Sequence, residues 1–300
     1  MKSCALVVNP SKARAEEIAE AFRGRCAEVG AEPIVLRTTV EDPGGGMAHE
    51  ALERGVDLVV VAGGDGTVRA AAGELTGTEV PLGVVPLGTG NLLARNLGLP
   101  IDDTAAALDI VFGAAERRID VAWARIDGGE EKAFVVMAGM GLDATIMANT
   151  DDDLKAKAGW FAYIASAAKT VVGESWRMRV DVDGKPAIER RQRGVMVGNC
   201  GKIQGDVEVF PGAKIDDGIL DVLAVAPKGV VGWLRVATAL LSRVRRHSPP
   251  DLGHFTGRMV RIAAVRPHDV QLDGDHLGEG STMTFRVDDK ALLVRAAAGD

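Results

Sequence analysis

The chain has 300 residues, of which 47% are hydrophobic and 26% charged, with a formal net charge of -7. That is enough apolar material for two domains with real cores, and an acidic chain has no electrostatic reason to coat nucleic acid or an anionic membrane. Three cysteines, an odd number with no two close in sequence, argue against a disulfide framework or a zinc cluster and fit a reducing cytoplasm.

The apolar run at the N-terminus is too short for a secretory signal, and no apolar stretch is long enough to span a bilayer. Residues 4–8 (CALVV) read as a strand ending at Asn9-Pro10. Ile18, Ala19, Phe22 and Cys26 recur at helical spacing within 13–29, and 33–37 reads as a second strand. Gly44-Gly45-Gly46 is expected to form a flexible loop before a helix over 47–54. Residues 56–62 (VDLVVVA) are almost wholly apolar and β-branched, as in a strand covered on both faces of a parallel sheet. A Gly-rich turn, a helix over 68–75, the strand PLGVVP, a second Gly-rich turn and a helix over 91–97 continue the β-α alternation of a doubly wound sheet. Near Asp120 the rhythm changes. VAWARID, KAFVVMAG, RMRVDVD, RGVMVGN, LDVLAVA, MVRIAAV, DVQLDG, TMTFRVD and ALLVRA are strand-like, with helical patterns only at about 153–172 and 229–246. The expected class is therefore α/β, with a doubly wound domain over 1–122 and a β-rich antiparallel sandwich over 123–300. The last strand is free to return to the first domain.

The chemistry concentrates at Gly63-Gly64-Asp65-Gly66-Thr67, where a buried strand runs into a glycine cluster that opens a helix. Glycines there permit φ > 0 and close approach of phosphate to backbone N–H groups, and a helix N-terminus adds partial positive charge. A dinucleotide fingerprint fails because Gly64-Asp65-Gly66-Thr67-Val68-Arg69 ends in Arg69, and a Walker A loop fails for want of G-K-[ST]. A carboxylate inside a phosphate loop makes sense if it holds a metal or meets the attacking hydroxyl. Asp65 is expected in a surface loop, so that Asp65→Asn leaves the fold intact. A second loop, Pro86-Leu87-Gly88-Thr89-Gly90-Asn91, also joins a strand to a helix, with Asn91 as its N-cap. Two such loops at the ends of neighbouring strands form a crevice for a nucleotide.

GGDGTV followed by PLGTGNLLARNLGLP resembles the catalytic domain shared by diacylglycerol kinases, sphingosine kinases and their bacterial lipid-kinase relatives. Asn9-Pro10, Ile119-Asp120-Val121, Gly139-Met140-Gly141-Leu142-Asp143-Ala144, Leu154-Lys155-Ala156-Lys157, the segment from Pro211 to Asp221 and Asp273-Gly274-Asp275 extend the resemblance in family order over nearly the whole chain. It implies an active site in the cleft between the two domains and transfer of the ATP γ-phosphoryl group to a lipid hydroxyl. Nucleotide contacts fall on Asn9, Thr39, Gly63, Gly64, Asp65, Gly66, Thr67, Gly88, Thr89 and Asn91. Asp65 and Asp120 form the polar centre of the cleft, and Asp275 takes the place of the proton-accepting carboxylate. A metal, Mg²⁺ or Ca²⁺, is implied at Asp217 with the carbonyls of Lys214 and Ile219. Lipid is expected near Gly141–Ala144 and the 154–172 helix. Two positions depart from the pattern: Leu92 stands where many bacterial relatives carry aspartate, and Asp275 where the usual residue is glutamate. The resemblance further implies ATP with Mg²⁺, a part in phospholipid biosynthesis, a cytoplasmic protein that visits the membrane surface, and no nucleic acid partner. A homodimer stays open. The alternatives are an NAD kinase-like ATP transferase and a non-catalytic lipid- or nucleotide-binding regulator. The identity of the lipid is not written in the sequence.

Overall fold

Four parallel strands open the computed structural model, which describes residues 1–113, 115–141, 175–203, 208–229, 231, 232, 235, 236, 238 and 251–297. They are β1 (Ser3–Val8), β2 (Glu32–Arg37), β3 (Leu58–Gly63) and β4 (Leu82–Pro86), in the spatial order β2-β1-β3-β4. Between and after them run α1 (Ala15–Val29), α2 (Gly45–Glu53), α3 (Asp65–Leu75), α4 (Leu92–Asn96) and α5 (Thr104–Phe112). The strand sequences dictate helices on both faces, because successive side chains point to opposite sides. Cys4, Leu6 and Val8 share a core with Ile18 and Phe22 of α1 and Leu108 and Val111 of α5. Ala5 and Val7 pack instead with Ala48 and Ala51 of α2 and Ala71 and Ala72 of α3.

Ten further strands follow: β5 (Glu116–Ile126), β6 (Glu131–Phe134), β7 (Met137–Gly141), β8 (Trp176–Val182), β9 (Lys185–Gln192), β10 (Gly194–Gly198), β11 (Leu220–Val225), β12 (Leu252–Gly257), β13 (Met259–Leu272) and β14 (Asp275–Arg295). An antiparallel ladder runs β12-β11-β10-β7-β13-β14, with β5–β6 attached through β14 and β8–β9 through β13. Its inner side chains, among them Phe134, Met140, Met178, Ile262 and Phe285, form a second core. The two parts share strands. β14 pairs with β5 from Met283↔Ile126 to Asp288↔Val121, is interrupted, and resumes from Leu292↔Ile119 to Arg295↔Glu116. Val294 then pairs in parallel with Leu82 of β4, so the ladder and the parallel sheet are hydrogen-bonded into one.

Three elements are not visible in the pattern of the sequence. α5 (TAAALDIVF) has almost no polar face to give it away, yet Asp103 caps it by accepting from the Ala106 N–H at 3.0 Å. β9 (KPAIERRQ) pairs only with β8, and its proline and charges are typical of an edge strand. β12 (LGHFTG) pairs only with β11 and carries two glycines. The glycines 44–46 are no flexible loop: Gly45 and Gly46 lie in α2, where the Asp42 carboxylate accepts from the N–H groups of Gly44 and Gly46. The helical pattern at 153–172, the segment Leu142–Ala144 and most of 229–246 lie outside the described residues.

KAFVVMAG, one strand by its pattern, is divided into β6 and β7 by Asp273. This residue is 2% exposed, and its carboxylate accepts from the N–H groups of Val135, Val136 and Met137, each at 2.9 Å. Asp273 (φ 48°) and Gly274 (φ 89°) form the two-residue turn from β13 to β14, with Leu272 opposite Asp275. Both positions need the left-handed region, which Asp-Gly supplies at small cost. Burial pushes the Asp273 carboxyl up; the three amides and the nearby Arg69 guanidinium oppose the rise. Asp273→Ala should leave three buried donors without an acceptor and cost about 3 kcal/mol or more of stability, measured by urea unfolding. A loss under about 1 kcal/mol would mean those amides find other partners.

Candidate active site

The C-terminal ends of β1, β2, β3 and β4 lead into Asn9, Thr39, Gly63–Thr67 and Gly88–Asn91. A ligand crevice of an open parallel sheet lies at this edge. Asn9 Oδ1 accepts from the N–H and hydroxyl of Ser11, fixing the turn after β1. Thr39 Oγ1 accepts from the Asp42 N–H at 3.1 Å in the turn before α2. Thr67 is buried in the first turn of α3. Thr89 lies in the loop between β4 and α4.

None of the glycines in the two loops has a positive φ. Their need is close approach: a Cβ on Gly88 would stand 2.8 Å from the Gly64 Cα, so the loops touch backbone to backbone. The left-handed residue is Asn91, with φ 49°. It occupies the N-cap position of α4 without capping it. Its side chain clasps the loop instead, with Oδ1 accepting from the Gly88 N–H at 2.9 Å and Nδ2 donating to the Gly88 carbonyl at 2.8 Å.

The cap of α4 is supplied by Asp65. Its carboxylate accepts from the N–H of Asn91 at 3.0 Å and of Leu92 at 2.6 Å, tying the first loop to the second. Asp65 is the first residue of α3 and is largely shielded, so it is not the surface-loop residue expected from the sequence. An amide in its place offers one acceptor where two N–H groups converge. Asp65→Asn is therefore a structural change as well as a chemical one.

Asp120 departs from expectation too. It is 0% exposed, and its two oxygens accept from the N–H groups of Gly218 and Lys290, each at 2.7 Å. The buried Asn199 side chain donates to its carbonyl at 3.1 Å. Its charged neighbours are Asp217 and Asp289, whereas those of Asp65 are Asp273 and Asp275. The carboxylates thus form two groups. Asp120 supports the acidic turn at 214–219, and Asp65 lies with the β13–β14 turn. Within the acidic turn Asp217 Oδ1 accepts from the Ile219 N–H at 3.1 Å, and burial pushes its carboxyl up, with Asp221 and Asp216 adding to the rise. No three His, Cys, Asp or Glu side chains among the described residues gather to hold a metal, so an ion at this turn would lean on backbone carbonyls such as those of Lys214 and Ile219.

Asp275 stands over the first glycine loop. Its Oδ2 accepts from Arg69 Nη2 at 2.8 Å, and a Cβ on Gly66 would come within 2.5 Å of that oxygen. A side chain at position 66 would displace the carboxylate from this place. Arg69 and Asp273 are the site residues whose roles the sequence did not disclose. Position 69 merely broke a motif, and the three amides that Asp273 holds are separated from it by more than 130 residues.

Residues 3–124 match the diacylglycerol kinase catalytic domain, and residues 135–296 match the YegS C-terminal NAD kinase beta sandwich-like domain. A diacylglycerol kinase of Mycobacterium tuberculosis is 34% identical over 185 residues, a stretch that spans 59% of this chain and 60% of that protein. The "Probable lipid kinase YegS-like" of Pseudomonas fluorescens is 32% identical over 96% of this chain and 93% of its own length. In fold, the chain is similar to a crystal structure of a diacylglycerol kinase from Bacillus anthracis, with a TM-score of 0.74 and 21% identity, covering 99% of this chain and 97% of that one.

The Asp65 carboxyl is pushed up to about 6, chiefly by burial, with Asp273 and Asp275 adding to the rise and the amides of Leu92 and Asn91 opposing it. The unfolded chain releases this proton near the ordinary 3.8, so the folded protein binds more protons between those values. Stability should therefore fall as pH rises from about 4 to about 6. Denaturant unfolding at pH 4, 5, 6 and 7 should show a shallower fall in Asp65→Asn than in the parent. An unchanged slope would place the titration on another group.

Proposed function

Because this chain belongs to the diacylglycerol kinase catalytic-domain family, in the form that continues into a YegS-type C-terminal domain, we propose that it transfers the γ-phosphoryl group of ATP to the hydroxyl of a diacylglycerol-like or sphingoid lipid. The observation that carries this reading is the Asp275 carboxylate, held over Gly66 of the glycine loop. A phosphate loop with a carboxylate poised above it suits a reaction in which a hydroxyl must lose a proton as it attacks phosphorus.

In this mechanism the nucleotide lies across the ends of β1–β4. Asn9, Thr39, Gly63, Gly64, Gly66, Thr67, Gly88, Thr89 and Asn91 surround it, and the backbone amides of the two loops face its phosphates. Mg²⁺ arriving with ATP would neutralise phosphate charge. The lipid oxygen forms a bond to the γ-phosphorus as the bond to the bridging oxygen of ADP breaks. The hydroxyl proton passes to Asp275. Asp65 keeps the two loops in contact through the amides of Asn91 and Leu92. Asp120 acts at one remove by fixing the acidic turn.

A divalent ion at that turn would be held by Asp217 and the carbonyls of Lys214 and Ile219. Supporting it is a local excess of negative charge: Asp120, Asp217 and Asp289 lie together, with Asp216 and Asp221 beside Asp217. Lipid would enter along the β-rich domain, which we take to begin after residue 122. No helix among the described residues is long and apolar enough to cross a membrane. In this reading the protein works from the cytoplasm and meets its lipid by transient contact with the membrane surface.

Labelled ATP offered with diacylglycerol, monoacylglycerol, a sphingoid base and an isoprenoid alcohol should give a phosphorylated lipid. Phosphorylation of NAD with no lipid turnover would favour the NAD kinase-like alternative, and tight ATP binding without any turnover the regulator. Asp275→Asn should lower turnover by roughly 10²–10⁴-fold with ATP affinity unchanged, while Asp275→Glu keeps substantial activity. Full activity in the Asn variant would remove Asp275 as the base. For the metal, a chelator should lower the melting temperature and added Mg²⁺ or Ca²⁺ restore it. Indifference to both would argue that the turn is held by its hydrogen bonds alone.

A further inference from the structure

Arg69 lies on α3 one helical turn beyond Asp65, with a side chain only 14% exposed. Its Nη2 donates to Asp275 Oδ2 at 2.8 Å, joining residues 206 apart in sequence. Three features set this pair apart from an ordinary stabilising ion pair. The grip is through one N–H only, although arginine usually engages a carboxylate with two parallel bonds. Arg69 Nε is buried and meets no hydrogen-bond acceptor among the described residues, so the guanidinium is not closed on Asp275 in a two-pronged grip. The partner carboxylate is also 47% exposed, and pairs of that exposure contribute little to stability.

The consequence for Asp275 is an unequal use of its two oxygens. Oδ2 is held by Arg69 and lies on the side of Gly66 where a Cβ would otherwise stand. Oδ1 has no hydrogen bond to any described residue. A half-exposed carboxylate that could turn freely would meet an acceptor hydroxyl in many orientations. With one oxygen anchored, the other keeps one direction.

We propose that Arg69 is the positioning residue of phosphoryl transfer: it anchors Asp275 Oδ2 over the phosphate loop so that Oδ1 is presented to the lipid hydroxyl. This deepens, and rests on, the reading of Asp275 as the group that takes the hydroxyl proton. As the lipid oxygen bonds to the γ-phosphorus and the bond to ADP breaks, the proton moves to Oδ1 while Oδ2 stays with the guanidinium. Arg69 also makes this alignment depend on the fold as a whole. α3 carries the arginine, β14 carries the carboxylate, and the base is aligned only when the phosphate-binding layer and the β-rich layer are in register.

The test uses the full chain as Arg69→Met, Arg69→Lys, Asp275→Asn and the Arg69→Met/Asp275→Asn pair. Single-turnover rates are measured with ATP and diacylglycerol in mixed micelles, or with whichever lipid of the panel above is turned over fastest, alongside ATP affinity and melting temperature. Arg69→Met should lower the rate roughly a hundredfold, the effect of a reacting group held out of place, with ATP affinity and melting temperature near the parent values. Arg69→Lys should recover about a tenth or more of the parent rate, since a cation remains but the planar fork is lost. In the Asp275→Asn background Arg69→Met should cost nothing further, because there is no longer a base to align. An equal rate loss in both backgrounds, a loss confined to ATP affinity, or a full rate in Arg69→Met would each overturn the proposal. If Arg69→Met does not fold, Arg69→Lys decides in both backgrounds by the same comparison. Full turnover in Asp275→Asn alone would instead remove the base assignment beneath it, an outcome distinct from a failure of Arg69.

Discussion

A carboxylate kept out of water must be met by hydrogen-bond donors, and the site is built on one case of this. Asp273 is buried beneath the β13–β14 turn and survives there because three successive amides from the β6–β7 link point at it. The turn cannot shift without abandoning those amides, and the amides cannot shift without breaking β7 away from β13. Asp275, two residues on, inherits that fixed position. The placement of a side chain over the first glycine loop is thus decided by a neighbour that faces away from it into the core.

Four of the six aspartates in the two groups divide along the same line. Asp65, Asp120 and Asp273 accept from backbone N–H groups and hold loops in place; of these four, Asp275 alone accepts from a side chain and has one oxygen with no hydrogen bond to a described residue. A carboxylate saturated by amides is a structural bracket. A carboxylate held at one oxygen can still exchange a proton. Burial raises the first three together, so their negative charge is held in check by geometry and dipoles more than by cations.

Much of this was legible in the residues. The alternation through β4 was, because a strand packed on both faces has no polar phase and a helix between strands has a clear one. The two glycine loops were legible as neighbours at the strand ends, and the motifs carried the family. What the sequence concealed lies in contacts between distant segments. GGDGT reads as a loop with an exposed acid, but Asp65 caps a helix that begins 27 residues later. The loop glycines suggest left-handed backbone, but they serve contact between Gly64 and Gly88, and the strain falls on Asn91. Asp120 looks like a partner of Asp65 by chemistry and is a partner of Gly218 and Lys290 by position. Pattern reading finds which residues are special. It does not find which of them touch.

The shared strands also govern how the cleft can open. β5 and β14 run from the antiparallel ladder into the first layer without a break in the chain, and their pairing lapses only between Asp288 and Leu292, where Lys290 takes a φ of 51°. Two domains on a loose tether could swivel about it. Here the β-rich half is mounted like a cantilever, and the soft section of the beam is that single lapse. A rigid swing of one part against the other would break the pairing of β14 with β5 and with β4. Asp120 grips the Lys290 amide at the flexure and the Gly218 amide of the acidic turn with the same carboxylate, so whatever stiffens the turn stiffens the beam.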